Sequence, residues 1–495
     1  MKITRRRAVE LMFLSPLAAM AQDVNAPQGK KKGPRGQQGG QKGGHGPDQK
    51  NPSTFYTDVP GHDFDIILGR PTRTSITASV LFYADVEAYI AIEGHDASKT
   101  PVQQLKSGVP AEFTLTDLTA GRTYAYRLFW RAAGTSTFTA YGPREFHLPK
   151  PRGDSFTYTI VADSHLDYPD APRLYPNTLR SVIADKPDFH IDLGDTFMTD
   201  KRGQDYTAAR AQYIAQRYYL GLIGEIAPVY LVLGNHDGET GARFNGQTDS
   251  MPGWSNAMRK QYFPNPRPNE FYSGNDQAAA TLGQLEDYYA WEWGNALFVV
   301  LDPYWFTVSH SKGPGAYWER SLGEKQYRWL ATVLARSKAP FKFVFIHNLV
   351  GGVDESMRGG AEAARLYEWG GHEPDGKYAF AEQRPQWKAP IHTLLKTHGV
   401  NVVFHGHDHF FAHQEYDGVV YQTLPQPATP GNRSAAQMAA EYGYVSGTFL
   451  ASPGYLRVTV GQDEAQVVFI STGSDKPTAA FAYTLKAAQP RAKGK

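Results

Sequence analysis

The sequence predicts an α/β (α+β) chain in two parts: an all-β segment, then a layered sheet with helices outside. Three observations carry this. Residues 53–150 contain the strand-length apolar runs TSITASVLFY, AYIAIEG, AEFTLTDL, RTYAYRLFWRA and REFHLP, separated by Gly, Asp and Pro. From residue 154 onward, short runs rich in Val, Ile and Phe alternate with stretches of helical spacing. The 495 residues also exceed what one ordinary core holds, which favours two domains plus extensions.

Taken in order, the N-terminus predicts an export signal over residues 1–21. Thr4-Arg5-Arg6-Arg7 is basic, Leu11 to Ala19 is apolar, and Ala19-Met20-Ala21 is a small-x-small cleavage site. The paired arginines point to the twin-arginine route and a periplasmic or secreted bacterial protein. Residues 22–52 are rich in Gly, Lys and Gln with no apolar anchor, so they predict a flexible linker. Residues 53–150 form the sandwich, and none of their residues makes a catalytic set. Residues 151–475 follow as the catalytic part, with helices expected at Thr207–Leu222, Glu324–Arg336 and Ala389–Thr397. The later runs GVVYQTL, YLRVTV and EAQVVFI are expected to complete a second sheet packed on the first. Residues 476–495, rich in Ala, Lys and Pro, are expected to be a frayed tail.

Composition narrows the chemistry. There is no cysteine, which excludes disulfides and thiolate ligands. The net charge of +2 divides into +3 over residues 1–21, +4 over 22–50 and −5 over the remainder. A mildly acidic body argues against nucleic acid as its partner. Beyond the N-terminal segment no apolar run is long enough for a membrane span, so none is expected in the mature chain.

The chemistry sits at the downstream ends of five apolar runs. After FTYTIVA comes Asp163-Ser-His165; after DFHIDL, Gly194-Asp195; after PVYLVL, Gly234-Asn235-His236-Asp237; after FKFVFI, His347-Asn348; after VNVVF, Gly406-His407-Asp408-His409. In open α/β sheets, strand C-termini form the rim where ligands bind. Oxygen and imidazole donors without thiolate suit two hard divalent or trivalent ions, with iron, manganese and zinc all compatible. Asp163 and His165 can share one ion, as can His407 and His409. Asp195 can bridge two ions, Asn235 offers a neutral amide oxygen, and His347 completes a shell.

In this order D-x-H, G-D, G-N-H-D, H and G-H-x-H resemble the calcineurin-like metallophosphoesterase superfamily over residues 154–475. The preceding segment resembles the N-terminal domain of purple acid phosphatases. Its stretch Leu118-Thr-Ala-Gly121-Arg-Thr-Tyr124 is similar to fibronectin type III-like domains, in which a Tyr anchors the corner. The resemblance implies a four-layer α/β/β/α sandwich behind a fibronectin III-like β-sandwich. It implies Asp163, His165, Asp195 and His409 around one metal, and Asp195, Asn235, His347 and His407 around the other, with Asp195 as the bridge. His236 would face the substrate and Asp237 would orient it. Purple enzymes carry a metal-bound Tyr three residues after the bridging Asp, where this chain has Met198, and they lack the His of the first block, present here as His165; no purple colour is therefore expected.

The implied activity is hydrolysis of phosphomonoesters by hydroxide held between the two ions. Rival readings are a phosphodiesterase of cyclic-nucleotide or glycerophosphodiester type, a nuclease, or a non-catalytic surface-binding protein. The Gly-rich insert 351–387 offers Arg358, Arg365 and His372 as candidates for gripping a small phosphoester substrate.

Overall fold

Turn-forming residues cut the first part of the chain into eight strands: β1 (Phe64–Gly69), β2 (Ile76–Phe82), β3 (Val86–Ile92), β4 (His95–Lys99), β5 (Gln103–Leu105), β6 (Ala111–Leu115), β7 (Thr123–Ala132) and β8 (Thr139–His147). The computed structural model describes residues 57–487 apart from 58, 203–204, 309–315, 355 and 431–432, so the expected export signal and linker lie outside the described residues. One sheet runs β1-β2-β6 and the other β4-β3-β7-β8, with β5 paired to β3. Ile66, Val80, Ile90, Phe113, Leu128 and Phe146 fill the space between them. The Tyr124 hydroxyl accepts the Thr119 N–H at 2.7 Å, which pins the corner before β7.

The second part contains, in order, β9 (Phe156–Val161), α1 (Ala171–Ala184), β10 (Phe189–Asp192), α2 (Thr199–Arg202), α3 (Tyr206–Gly224), β11 (Val229–Leu231), α4 (Met251–Tyr262) and β12 (Ser273–Gly274). Then come β13 (Ala278–Ala279), β14 (Gly283–Gln284), β15 (Tyr289–Trp293), β16 (Ala296–Val300), α5 (Gly323–Arg336), β17 (Phe341–Phe345), α6 (Gly360–Ala363), α7 (Tyr367–Gly370), α8 (Phe380–Gln383) and α9 (Ile391–Thr397). It ends with β18 (Val402–His405), β19 (Phe411–Tyr416), β20 (Val419–Thr423), α10 (Ala435–Glu441), β21 (Thr448–Leu450), β22 (Gly454–Val460), β23 (Glu464–Ser471) and β24 (Thr478–Lys486).

Two large sheets result, ordered β11-β10-β9-β22-β23-β24 and β12-β15-β16-β17-β18-β20-β19-β21, beside a two-stranded β13-β14 ribbon. Side-chain alternation along each strand sorts residues between the two faces. Tyr158, Phe189, Trp291, Phe298, Phe345, Phe404 and Phe469 face the space between the sheets. Residues of the opposite parity, such as Val161 and Val229, pack under α1, α3 and α4 through Leu179, Tyr219 and Met258. Val299, Val344 and Val403 pack under α5 and α9 through Leu330 and Leu395. The four layers are therefore α/β/β/α.

Two expectations are corrected. Of the three late runs GVVYQTL, YLRVTV and EAQVVFI, only the first, as β20, joins the second sheet; β22 pairs antiparallel to β9, Leu456 opposite Ile160, and carries β23 into the first sheet. The tail expected from residue 476 is in part a strand. β24 pairs with β23 from Lys486 opposite Glu464 to Thr478 opposite Ser471, and its Phe481, Tyr483 and Leu485 pack on the inter-sheet core.

The sandwich is fastened to the layers by buried polar contacts. Arg217 of α3 is fully buried; its Nε donates to Asp65 Oδ1 at 2.6 Å, and Nη1 and Nη2 donate to the Ser79 hydroxyl and carbonyl, both at 2.9 Å. Tyr126 donates to the Glu225 carbonyl at 2.8 Å and Tyr141 to the Glu225 carboxylate at 2.7 Å. Among the described residues no helix is long and apolar enough to cross a membrane.

Candidate metal centre

The parallel strands of both sheets end on one rim, and each delivers its polar cluster there. β9 leads into Asp163 and His165, β10 into Asp195, β11 into Asn235 to Asp237, β17 into His347, and β18 into His407 to His409. The backbone turns sharply at this rim. Asp163, His165, Asp195, His407 and His409 have φ of 59°, 41°, 55°, 72° and 67°, the left-handed region that side chains other than Gly seldom adopt. Such strain gathers where a site must be held in one arrangement. Gly194, with φ 89°, and Gly406 permit the close approach: a Cβ would strike the Gly234 backbone at the first and the Asp163 carboxylate at the second.

The side chains converge in two groups, Asp163 with His165 and His409, and Asp195 with His347 and His407. His165 Nε2 and His409 Nε2 are 3.1 Å apart. Asp163 Oδ1 lies 3.4 Å from His409 Nε2, 3.6 Å from His347 Nε2 and 3.9 Å from His165 Nε2. His347 Nε2 is 3.1 Å from Asp195 Oδ2 and 3.1 Å from Asn235 Oδ1, and His407 Nδ1 is 2.7 Å from the same amide oxygen. The other nitrogen of His347 faces the Leu193 carbonyl at 2.7 Å, which turns Nε2 inward.

These atoms are mostly lone-pair donors crowded into a buried space. Asp163 Oδ1 is buried and accepts no hydrogen bond. Burying such groups without compensation is costly, and cations supply the compensation. Electrostatics agree. Burial opposes charge on His347, but Asp195 and Asp163 beside it raise its pKa to about 10. The two carboxylates thus capture positive charge where metal ions would supply more. Burial, with His409 alongside, lowers His165 to about 3 and keeps its ring neutral, and burial with Arg358 alongside pushes His407 well down. The donor set therefore fits two cations.

His236 stands at the edge of this cluster. Its backbone N–H donates to Asp195 Oδ1 at 2.7 Å, and its Nδ1 is 2.8 Å from Asp200 Oδ1. Burial lowers its pKa, but Asp195 and Asp200 outweigh this and raise it. Asp237, the expected orienting partner, accepts through its Oδ2 from Gly234 N at 2.7 Å and Asp195 N at 3.4 Å, which ties the two metal loops together. Burial and the Asp195 charge push Asp237 up to about 7. Asp200 escaped the sequence reading because it lies in α2, outside the five strand-end clusters; its position five residues after Asp195 was the available signal.

Each of the three substrate candidates from the insert has a partner within the fold. Arg358 donates through Nε to Asp408 Oδ1 at 2.7 Å and through Nη2 to the His407 carbonyl at 3.2 Å, so it supports the last loop. Arg365 stacks on Tyr416, at the far end of β19 and about 20 Å along the strand from His409. His372 packs edge-on against Tyr378 within the insert. Two further histidines are buried and bonded to threonines, His190 to Thr159 at 2.8 Å and His405 to Thr423 at 3.1 Å.

Comparison with known proteins agrees with this architecture. The chain is similar to the structure of PhoD, with a TM-score of 0.61 and 14% identity over 86% of this chain and 90% of that one. It is also similar to purple acid phosphatase PPD1 from yellow lupin (Lupinus luteus) seeds, with a TM-score of 0.55 and 14% identity over 86% of this chain and 74% of that one. These likenesses concern the fold, and both extend over sandwich and layers together. No curated protein matches the chain. The profile of calcineurin-like phosphoesterases matches residues 156–411, just over half of the sequence. With the fold and both ligand groups in place, the chain belongs to the calcineurin-like phosphoesterase family and is a metal-dependent phosphoester hydrolase.

Proposed function

We propose that the chain is an exported phosphatase that releases phosphate from small phosphomonoesters outside the cytoplasm. The observation that carries the catalytic part is the convergence of two carboxylates, four imidazoles and one amide oxygen beside a histidine tethered by its own carboxylate. Asp163, His165, Asp195 and His409 would hold one ion and Asp195, Asn235, His347 and His407 the other, with Asp195 shared. The ions supply Lewis acidity toward a phosphoryl oxygen and an acidified water at neutral pH. The chain itself supplies orientation and a proton. Asp200 fixes Nδ1 of His236, which leaves Nε2 to protonate the departing ester oxygen. Asp195 accepts the backbone N–H of that same histidine, so the ligand loop and the acid move together. Export rests on the basic, apolar and small-residue order of residues 1–21.

The test is hydrolysis of an aryl phosphomonoester beside the matching diester, after chelation and with iron, manganese or zinc restored singly. The monoester is expected to be cleaved at least tenfold faster. A faster diester would assign the site to diesters, and inertness toward both would remove the catalytic reading.

A further inference from the structure

The loop carrying His407 and His409 must present two imidazoles from left-handed backbone, and the side chain between them points the other way. Asp408 is 1% exposed. Its Oδ1 accepts from Arg358 Nε at 2.7 Å, and its Oδ2 accepts from the Tyr444 hydroxyl at 2.6 Å. Arg358 also reaches the His407 carbonyl at 3.2 Å, and its guanidinium lies 4.2 Å from the centre of the Tyr442 ring. The Arg358 backbone N–H donates to the Tyr442 carbonyl at 3.0 Å. The Tyr444 hydroxyl continues to Thr423 Oγ1 at 3.1 Å, which bonds His405 at 3.1 Å. Three segments distant in sequence therefore close on the back of one ligand loop: the insert after His347, the loop itself, and the stretch between α10 and β21.

We propose that Arg358, Asp408 and Tyr444 form a brace that sets the affinity of the ion site containing His407. The inference rests on reading His407 and His409 as ligands. Without the brace, the left-handed backbone at His407, whose carbonyl Arg358 holds, would relax toward ordinary angles and that ring would lose its inward aim. Arg358 is suited to the task because its rigid planar fork meets Asp408 and the His407 carbonyl through separate nitrogens, where lysine offers a single nitrogen on a flexible stem. Removal of groups that orient ligands typically lowers metal affinity about 10–100-fold. Arg358, Asp408 and Tyr444 are on this account positioning residues, and the insert acts on the metals from behind.

The experiment uses the full chain, stripped of metal and titrated with Zn2+ against a chromogenic chelator. Arg358→Gln is expected to weaken one of two Zn2+ equivalents about 10–100-fold. Its kcat should return to within a few-fold of the parent at saturating Zn2+. Arg358→Lys should recover part of the loss, since it keeps the Asp408 pair alone. Tyr444→Phe removes one hydroxyl from a buried ring and should weaken the same equivalent about tenfold; it decides the matter if Arg358→Gln does not fold. Parental affinity for both equivalents in either folded glutamine or phenylalanine variant overturns the proposal. A raised KM with unchanged Zn2+ affinity also overturns it, by making Arg358 a substrate contact. Failure of the parent to bind two tight equivalents would instead remove the ligand reading beneath it.

Discussion

His236 and its neighbours show how the site is divided between what sequence displays and what folding assembles. The ligand blocks were legible because each follows a recognisable strand and because Asp163 with His165, and His407 with His409, are nearly adjacent in the chain. The contacts of Asp200 and Arg358 were not legible, because their partners lie 36 and 50 residues away and meet them only through space. The contacts of Asp237 were hidden for the opposite reason: it adjoins His236 in sequence, yet its carboxylate turns back to the Gly234 and Asp195 backbones. These assignments give separable outcomes. His236→Ala is expected to lower kcat by about 10²–10⁴ with two metals retained, measured by steady-state kinetics and elemental analysis together. Asp200→Asn keeps a hydrogen-bond partner and loses its charge, so a smaller fall in kcat of about tenfold is expected, again without metal loss. An Asp237→Asn variant with the kinetics predicted for Asp200→Asn would reverse this assignment.

Among the elements, helices with continuous apolar spacing were legible: α3, α5 and α9 fall where the sequence placed them. α1 and α4 did not stand out, because each carries a proline in its first turn, which reads as loop although it suits the start of a helix. The runs that became β22 and β23 were legible as strands. Their sheet was not, since the choice of neighbour depends on contacts with β9 nearly 300 residues earlier. β24 was hidden by its alanines, whose strand role appears only through pairing with β23. α3 tests how the sandwich is held. Arg217 and Asp65 are both buried, at 0% and 4% side-chain exposure, so Arg217→Ala leaves a carboxylate without its counter-charge. A loss of about 3–5 kcal/mol is expected in urea unfolding, with a change far smaller than that sinking the view of this pair as a fastening.

At the scale of the whole molecule, stability should depend on pH through histidines that the layers bury as neutral rings. Burial lowers His190 of β10 to about 3 and, despite nearby Asp417, His392 of α9 to about 4. Both folded values lie below the unfolded value of 6.5. As pH falls below that value, the unfolded chain takes up protons that the folded chain refuses, so stability declines with acidification until the folded pKa is reached. In metal-free protein these two rings are therefore expected to favour the folded state less at pH 5 than at pH 7 in urea unfolding, while the raised carboxyls of Asp192 and Asp237 act in the opposite sense. His392→Gln should flatten that dependence; an unchanged slope would discount this ring. The same layered plan leaves one sheet with a long terminal strand. β24 is nine residues long and carries its only charge at Lys486, while Ala480, Ala482 and Thr484 are exposed and its outer edge has no partner strand among the described residues. Natural proteins commonly guard such a margin with lysine or proline, and an unguarded one invites other chains to add to it. Concentrated solutions should accordingly turn turbid on gentle warming before the core melts, and Ala482→Lys, by placing a charge in the middle of that seam, should keep them clear.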